Sequence, residues 1–489
     1  MVGVSNFRHA QYDAQGVGID DPQTKFASVG QDPTTGALVG AGGGQILKPW
    51  PRKGIASAAV LQRGILGQFS DGSFLAYDDW PGAGEGSARL ARIVGDPMAG
   101  GVATAMAQTS TGASNNLANA AGTGIGSSAN SITQAWIASN GDVFFVMVAT
   151  GNLHHLYRAK TGTYTVGSDA GYTNKRACID IGLYGGTHAD QVRSFNQRAF
   201  LEARVGAATH LFFCEYNVTS GRTSGSGGAG KDQAIVYRST DGGTTWATFL
   251  EFNTGGSHVI DHFHGAVQDP HTGWIYFMAG DSGSECALIA YNGTAAAPAA
   301  NTPLATIGAT AGWKVISGSE LHRYTDLCFD KDGLFSIPDC DTETAEAGST
   351  AFVATRLPRM LEFVVSVAPV ERFADIPPCQ AMYSKGTYGA LMVSFRTESA
   401  NTTSEPYLWV WSADVEEGAW TLIAKVKNLR AVTGVPKSAF VDTQGRLWIS
   451  AAYKGGINFH SALSSLSTTS SVCLTLGDRT SAPVIYDVA

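Results

Sequence analysis

A turn that recurs at nearly regular intervals restricts the possible folds of this sequence more than any other feature. Each occurrence is a short polar segment, usually with glycine beside aspartate or asparagine, placed between two strand-like runs. The markers of the seven turns are Asp71, Asn140, Gly206, Thr272, Asp332, Gly386 and Gln444. Successive markers lie 54 to 69 residues apart, which leaves room for four short strands in each unit. The spacing predicts an all-β chain folded as a β-propeller, with seven four-stranded blades as the simplest count and six or eight as alternatives.

The composition agrees with an all-β fold and argues against several functions. Of the 489 residues 59 are glycine and only 15% are charged, and no long apolar pattern has the helical period. The net charge is −8 and no cluster of Lys or Arg offers the basic surface that nucleic-acid binding requires. We therefore expect no nucleic-acid partner. The seven cysteines contain no Cys-x-x-Cys pair, which predicts buried free thiols.

The N-terminal segment differs from the repeat region. Residues 1–50 are glycine-rich and aperiodic, and such a segment cannot bury enough apolar surface to fold alone. We expect 1–50 to be an irregular arm that contacts other subunits of an assembly, and 51–489 to be the propeller. Loop insertions at 97–130 and 220–230 interrupt the repeat.

Neither a membrane span nor a secretory leader is expected. The sequence has no apolar run of about 18 residues, and its first residues lack a basic start followed by an apolar core. This pattern predicts synthesis in the cytoplasm without a signal peptide, and no membrane insertion.

One stretch has the composition of a specialised hairpin. It runs from Ser239 to Trp246 between two strand-like runs, and its hydroxyl and carboxylate groups can bond the backbone of the turn. Its glycines permit positive φ, and Trp246 can fold back to bury its ring. The residues that define the pattern are Ser239, Asp241, Gly243, Thr245 and Trp246.

These residues resemble the Asp-box, also called the bacterial neuraminidase (BNR) repeat, of sialidase-like β-propellers. The wider resemblance to Asp-box proteins of that superfamily extends over about residues 190–460. It implies a propeller in which the box lies on the outer rim of a blade, away from the substrate pocket. The Arg-Ile-Pro element that sialidases carry before their first box is missing here, so sialidase activity is not implied.

A histidine-rich strand is the richest candidate for chemistry. In a propeller the first strand of each blade lines the central channel, so polar residues from distant units converge there. His258, His262 and His264 alternate along one such strand, and the two-residue period places them on one side. A His-x-His pair can hold a metal or supply an acid or base near neutral pH. Because no third ligand is fixed by spacing, structural hydrogen bonding is the first interpretation, and we predict no metal and no cofactor.

Charged residues of neighbouring units could complete a site. Arg193 and Arg323 could clamp the carboxylate of an acidic sugar, or each could pair with a carboxylate of the next blade. Two carboxylates about 5 to 10 Å apart would suit glycoside hydrolysis. The predicted ligand-binding residues are Arg193, Glu215, His258, Asp326, Asp341 and Glu398. If the protein is an enzyme, the predicted catalytic residues are His262, His264, Arg323 and Asp281.

Two functions remain open from the sequence. The first is a non-enzymatic recognition or structural propeller of a larger assembly, such as a virion tail or fibre component that contacts cell-surface glycan or protein partners. It would form homo-oligomers and reside in a virion or other extracellular particle. The alternative is a carbohydrate-active enzyme, a polysaccharide lyase or glycoside hydrolase, acting on acidic glycans at the propeller mouth.

Overall fold

The computed structural model describes the chain in separate stretches. These are residues 53–61, 64–79, 88–108, 117–118, 131–149, 153–159, 175–179, 197–216, 234–252, 260, 262–269, 272–280, 285–317, 322–329, 333–336, 352–358, 371–373, 381–386, 391–397, 408–413, 420–427, 438–451, 470–478 and 484–487.

The described strands form seven sheets that follow one another along the chain. Sheet 1 contains β2 (Gly64–Gln68), β3 (Phe74–Asp79), β4 (Ala88–Val94) and β5 (Val102–Gln108). Sheet 2 contains β7 (Ser131–Ile137), β8 (Val143–Ala149), β9 (Leu153–Ala159), β10 (Lys175–Ile179) and the short β6 (Leu117–Ala118). Sheet 3 contains β11 (Phe200–Val205), β12 (Ala208–Cys214), β13 (Ala234–Ser239) and β14 (Ala247–Phe252). Sheet 4 contains β15 (Phe263–Gln268), β16 (Ile275–Ala279), β17 (Ala287–Tyr291) and β18 (Trp313–Ser317).

The remaining three sheets continue this order. Sheet 5 contains β19 (Cys328–Phe329), β20 (Gly333–Ser336), β21 (Phe352–Pro358) and β22 (Glu371–Phe373). Sheet 6 contains β23 (Ala381–Gly386), β24 (Leu391–Thr397), β25 (Leu408–Ala413), β26 (Trp420–Lys427) and β30 (Val484–Asp487). Sheet 7 contains β27 (Ser438–Val441), β28 (Arg446–Ala451), β29 (Ser470–Asp478) and β1 (Lys53–Leu61).

Helix is scarce in the stretches that the structure describes, as the composition predicts. They hold one α-helix, Leu304–Ala309, and the 3-10 turns Pro97–Ala99 and Gln197–Ala199. None of the described helices is long and apolar enough to cross a membrane.

The sheets are arranged around a centre. β1 from the start of the described chain pairs with β29 near its end, from Lys53↔Asp478 to Leu61↔Ser471, with a shift in register between Ile55 and Ser57. Gln197, which precedes the first strand of sheet 3, accepts a hydrogen bond from the amide of Ala439 in the first strand of sheet 7 (3.1 Å). The 3-10 turn that leads into sheet 3 therefore meets the first strand of sheet 7, which is not its neighbour in sequence. The fold is a β-propeller, as the repeat predicts; the count of seven blades stays a prediction.

The apolar core lies between successive sheets. Each of four clusters of buried side chains joins one sheet to the next. Examples are Phe74 with Trp448 (sheets 1 and 7), Phe144 with Phe213 (sheets 2 and 3), Phe212 with Phe277 (sheets 3 and 4), and Tyr276 with Tyr324 (sheet 4 and the residues leading into sheet 5). The described free cysteines, Cys214, Cys286 and Cys473, are buried in this core, as the sequence predicts.

A repeated hydrogen bond ties neighbouring sheets near the turns. In each case a Gln or Glu on the first strand of one sheet accepts from a backbone amide at the first turn of the preceding sheet. The pairs are Gln68 with Thr443 (2.8 Å), Glu202 with Ser139 (2.6 Å) and Gln268 with Arg204 (2.8 Å). Because these side chains satisfy turn amides, they fix the angular position of each sheet against the last.

The contact between sheets 7 and 1 carries an additional ionic group. Arg446 Nη1 donates to both carboxylate oxygens of Asp96 (2.8 and 3.0 Å), and Arg446 Nε donates to Asp442 Oδ2 (2.7 Å). Trp448 Nε1 donates to the same Asp442 oxygen (2.8 Å). Arg446 is thus held between two carboxylates, one from each sheet, where the ring closes.

The Asp-box is the hairpin between β13 and β14. Asp241 accepts from the amides of Thr244 (3.0 Å) and Thr245 (2.9 Å), and Ser239 Oγ accepts from the amide of Gly243 (2.8 Å). Trp246 Nε1 donates to the Gly243 carbonyl (3.2 Å), so the ring folds back over the turn as predicted.

Gly243 is required here for two reasons. Its φ is +85°, and a Cβ would lie 2.5 Å from Phe144 of sheet 2. The Asp-box therefore contributes to the packing of sheet 3 on sheet 2, and it lies at the end of the strands where the turn between β11 and β12 is found.

The Asp-box predicts a specific dependence of stability on pH. Burial alone would raise the pKa of Asp241, but its hydrogen bonds with Thr245, Ser239 and Thr244 outweigh this and lower it to about 2. A lowered pKa stabilises the fold above the unfolded value and loses that contribution as the pH falls from about 4 to about 2. We expect Asp241→Asn to lower the free energy of unfolding by about 1 to 2 kcal/mol at pH 7, because amides of the turn lose a charged acceptor. Urea unfolding followed by tryptophan fluorescence measures the difference.

The pH dependence of the Asp241 carboxyl group provides the control. The gap between the original chain and Asp241→Asn should close as the pH approaches 2, because the original carboxylate is then protonated too. A gap that is unchanged between pH 7 and pH 2.5 would contradict the role given to the charge.

Candidate functional site

Polar side chains gather at the end of the strands opposite the Asp-box. Glu215 and Tyr216 follow β12, His262 and His264 lie at the start of β15, and a segment before β19 adds more groups. The set, here called the polar cluster, is Arg198, Glu215, Tyr216, His262, His264, His322, Arg323, Tyr324 and Asp326. Its members come from three successive sheets and the turns that lead into them, so the propeller brings distant residues together as expected.

The two histidines form a directed chain of hydrogen bonds. His262 Nε2 lies 3.2 Å from His264 Nε2, and His264 Nδ1 lies 2.7 Å from the carbonyl oxygen of Tyr324. A carbonyl only accepts, so His264 Nδ1 carries the proton. In neutral imidazoles His264 Nε2 is then the acceptor and His262 Nε2 the donor. The structure thus brings His262 and His264 together, on one side of the strand as predicted.

A β-bulge shapes this strand. The β15–β16 register shifts between Phe263 and Gly265, which makes His264 the extra residue. Bulges re-aim side chains and are frequent beside functional sites. The chain is tied to the preceding sheet at the same point, because the Phe263 amide donates to the Glu215 carbonyl (2.9 Å).

A buried ion pair lies beside the histidines. Arg198 Nε donates to Asp326 Oδ1 (2.6 Å), and the Asp326 carboxylate is fully buried. Gly265 has no side chain where Arg198 passes: a Cβ there would lie 2.5 to 2.6 Å from Arg198 atoms, two of them backbone. Arg198 therefore packs against the Gly265 backbone. Its charge is paired with that of the Asp326 carboxylate inside the protein.

Glu215 is a buried carboxyl group of the polar cluster. It is 1% exposed, and burial raises its pKa well above the usual range, although a hydrogen bond with Tyr237 acts in the opposite direction. Its Oε2 atom has no hydrogen-bond partner among the described residues. Burial therefore favours the protonated form of this carboxyl group, which can donate a proton.

Solvent reaches only part of the described cluster. Tyr216 and Arg323 are half-buried, whereas His262, His264 and Asp326 are 3% exposed or less. The Tyr216 ring lies 4.2 Å from the His262 ring, centroid to centroid. Tyr216 and Arg323 are therefore the described groups that an external ligand could meet first.

Several predicted site residues have no described position. His258, Asp281, Arg193, Asp341 and Glu398 lie outside the described residues. Their assigned roles, and those of Glu215, Asp326, His262, His264 and Arg323, stay predictions. In the described part of the chain, no group of three or more His, Cys, Asp or Glu is placed to hold a metal.

Tyr216 was not among the site residues predicted from the sequence. Tyr216 follows the apolar run of β12, where an aromatic residue is indistinguishable from core. Its position directly after Glu215, at a strand end, is the signal that could have identified it.

A concave surface lies at the end of the strands that carries the Asp-box. A cavity of about 210 Å³ between sheets 2 and 3 is lined by Ser139, Glu202, Thr209 and Gly242 together with the apolar Phe144 and Leu211. Ser139 donates to the Glu202 carboxylate through both its amide and its hydroxyl (2.6 and 2.5 Å). The Ser139 and Glu202 groups that line the cavity are thus bonded to each other and hold the two sheets together.

Comparisons with known proteins concern the fold. No protein-family model matches the chain, and no curated protein matches its sequence. Among similar solved structures, a GH74 enzyme of Niastella koreensis is 10% identical, with 88% of this chain and 55% of that chain covered and a TM-score of 0.42. The periplasmic gluconolactonase of Pseudomonas aeruginosa is 10% identical over 86% of this chain and 97% of that chain, with a TM-score of 0.41. A mutant of the NanB sialidase of Streptococcus pneumoniae is 9% identical over 85% and 68%, with a TM-score of 0.34.

These similarities do not extend to function. The chain covers about half, 49%, of a prolyl endopeptidase that it also matches. At such identities nothing about ligand or reaction transfers. The sheet order shows that the fold is a β-propeller.

The close contact between Gly265 and Arg198 predicts that one added methyl group at position 265 strongly destabilises the fold. Gly265→Ala should lower the free energy of unfolding by more than about 2 kcal/mol, because a Cβ would overlap the Arg198 backbone. Gly308→Ala is the matched control, since its Cβ would meet Val315 no closer than 3.3 Å and helices favour alanine. Urea unfolding measures both. Equal stability of the two variants would contradict the described packing of sheets 3 and 4.

His322 predicts a loss of stability on mild acidification. Burial lowers its pKa, a backbone hydrogen bond with Ser317 acts in the opposite direction, and its Nδ1 has no partner among the described residues. The unfolded chain then takes up a proton that the folded chain resists, so stability falls as the pH drops below about 6.5. His322→Gln should flatten the stability curve between pH 7 and pH 5. A slope that matches the original chain would contradict this assignment.

Proposed function

We propose that this protein is a non-enzymatic recognition propeller of a larger assembly, a virion tail or fibre component, which contacts cell-surface glycan at the polar cluster. The observation that supports it most is that several buried polar groups of the cluster bond to one another. His262 bonds His264, His264 bonds the Tyr324 carbonyl, and Arg198 bonds Asp326. Groups used in this way fix a rigid surface rather than act on substrate.

The half-buried groups suit a sugar ligand. Tyr216 offers an aromatic face, and Arg323 offers a guanidinium group of the kind that binds carboxylates of acidic sugars. Rigid support from the histidine chain beneath Tyr216 would reduce the entropy lost on binding. Residues 1–50, with their glycine-rich composition, would supply the contact with other subunits.

A second function is favoured by one observation. Glu215 is buried, burial raises its pKa as a general acid requires, and its Oε2 atom has no hydrogen-bond partner among the described residues. With a further carboxylate it could serve glycoside cleavage, so a hydrolase or lyase acting on acidic glycans is the alternative.

Binding and turnover on a panel of acidic and neutral polysaccharides separate the two functions. We expect binding without release of reducing or unsaturated ends, and about fivefold weaker binding for Tyr216→Ala and for Arg323→Ala, because each removes a contact that solvent can reach. Arg204→Ala is the control, since Arg204 is exposed at the opposite end of the strands. Surface plasmon resonance measures binding and a reducing-end assay measures turnover.

The outcomes are distinct. Turnover that Glu215→Gln abolishes would establish the enzyme and reject the recognition module. Absence of binding to every polysaccharide, or equal binding by all variants, would reject glycan contact at this cluster. Elution from a native source as a free chain, separate from particles, would reject the assembly.

A further inference from the structure

An arginine recurs at the same place on the third strand of sheets 1, 2 and 3. In each sheet it lies opposite an apolar residue of the second strand, on the side of the first turn. The pairs are Arg92 with Leu75, Arg158 with Phe144, and Arg238 with Phe212. The surroundings of the three arginines can therefore be compared contact by contact.

In sheets 1 and 2 the arginine is paired with an aspartate from the first turn. Arg92 forms an ion pair with Asp71 and donates to Ser73 Oγ (2.7 Å). Arg158 donates to Asp142 Oδ2 through both Nε (2.8 Å) and Nη2 (2.6 Å). Ser73 and Asp142 each lie two residues before the apolar residue opposite the arginine. The charge of the arginine is thus balanced within its own sheet.

In sheet 3 the same place holds a histidine, His210, and the turn before it contains no acidic residue. No carboxylate of the described residues pairs with Arg238. The Arg238 guanidinium instead lies over the Phe249 ring, 4.8 Å from its centroid, and is hydrogen-bonded to the Tyr291 hydroxyl. That hydroxyl donates its own proton to the Gly293 carbonyl (2.7 Å), so it accepts from the guanidinium. The remaining guanidinium N–H groups are free to meet a ligand.

The His210 ring lies on the same face of sheet 3 as the Arg238 guanidinium, because His210 precedes Phe212 by two residues. Its Nδ1 atom is buried and has no hydrogen-bond partner among the described residues. Both His210 and Arg238 are half-buried, so solvent reaches the pair. The arrangement is a cation with spare donors beside a ring that can take up a proton.

We propose that Arg238 and His210 bind a doubly charged oxyanion such as sulfate, phosphate or a phosphate ester. The guanidinium is a planar fork of donors that suits oxyanions, and its position over Phe249 holds the fork in one orientation. A proton taken up by His210 supplies a second positive charge, which matches a dianion better than a single carboxylate. The inference is independent of the function proposed above, because the site lies at the Asp-box end, opposite the polar cluster.

Binding of radiolabelled sulfate in equilibrium dialysis, at an ionic strength held constant with sodium chloride, tests the site. We expect one saturable site per chain, and binding about tenfold weaker in Arg238→Gln, because charge-assisted hydrogen bonds are lost. His210→Asp should abolish binding, since it restores the carboxylate that sheet 2 has at this place and pairs Arg238 internally. Because Arg238 then has the kind of partner that Arg158 has, this variant should fold, and urea unfolding verifies it.

Arg204→Gln is the matched control. It removes the same charge from the same end of sheet 3, but Arg204 is exposed and, opposite Thr209, points to the other face. It should bind sulfate like the original chain. Absence of saturable binding, equal binding by all variants, or tighter binding of acetate than of sulfate would overturn the proposal.

Competition distinguishes the sources of the ligand. Displacement of sulfate by inorganic phosphate or by glucose 6-phosphate supports the site, and the one that acts at the lower concentration shows whether a free or an esterified anion is preferred. Displacement by neither would overturn the proposal.

The pH dependence of binding is a second readout. Burial lowers the pKa of His210, and the charge of Arg238, the charged group of the described residues that acts on this ring, lowers it further. A bound dianion favours the imidazolium, so sulfate affinity should rise as the pH falls from about 7.5 to about 5.5, a range in which sulfate keeps its charge. In His210→Gln the affinity should stay constant over that range. An equal rise in both proteins would overturn the proposal.

Discussion

The apolar contact between each sheet and the next is the interaction on which the rest of the structure depends. Phe144 and Phe213, Phe212 and Phe277, and Phe74 and Trp448 are buried between different sheets. A single four-stranded sheet of this kind has two apolar faces and cannot cover either of them alone. Placing the units around an axis covers both faces of every sheet, and the first strands then meet at the centre.

This arrangement explains why so many polar side chains are buried at one end. Where first strands converge, backbone and side chains are removed from water and must bond to one another. Arg198 reaches Asp326 because Gly265 leaves its backbone bare, and the bulge at His264 aims the ring at the Tyr324 carbonyl. The same low dielectric that strengthens these bonds raises the pKa of the Glu215 carboxyl group. A rigid, nearly dry cluster with Tyr216 and Arg323 at its surface is the outcome.

The two ends and the perimeter of the propeller have different roles in this view. One end carries the Asp-box and the backbone amides that bond the Gln and Glu side chains of the next sheet. The other end carries the polar cluster. On the perimeter, β1 contacts β26, and β30 pairs with the edge of β26. Both ends of the described chain therefore lie on the outside, at sheets 6 and 7.

The sequence by itself determined the local elements and their repetition. Turn chemistry is local, so Asp71, Asn140 and Gln444 marked true links between first and second strands, and the Asp-box formed the hairpin that its spacing predicts. Alternation along one strand predicted His262 and His264 on one side, whereas the bulge at His264 and its contacts with His262 and Tyr324 are shown only by the structure. Local sequence patterns did not predict the contacts between sheets, because these contacts join residues more than 60 positions apart. Examples are Arg198 with Asp326, Glu202 with Ser139, and Arg446 with Asp96. Only the tertiary structure decided which charges are paired across sheets and which carboxyl group is buried.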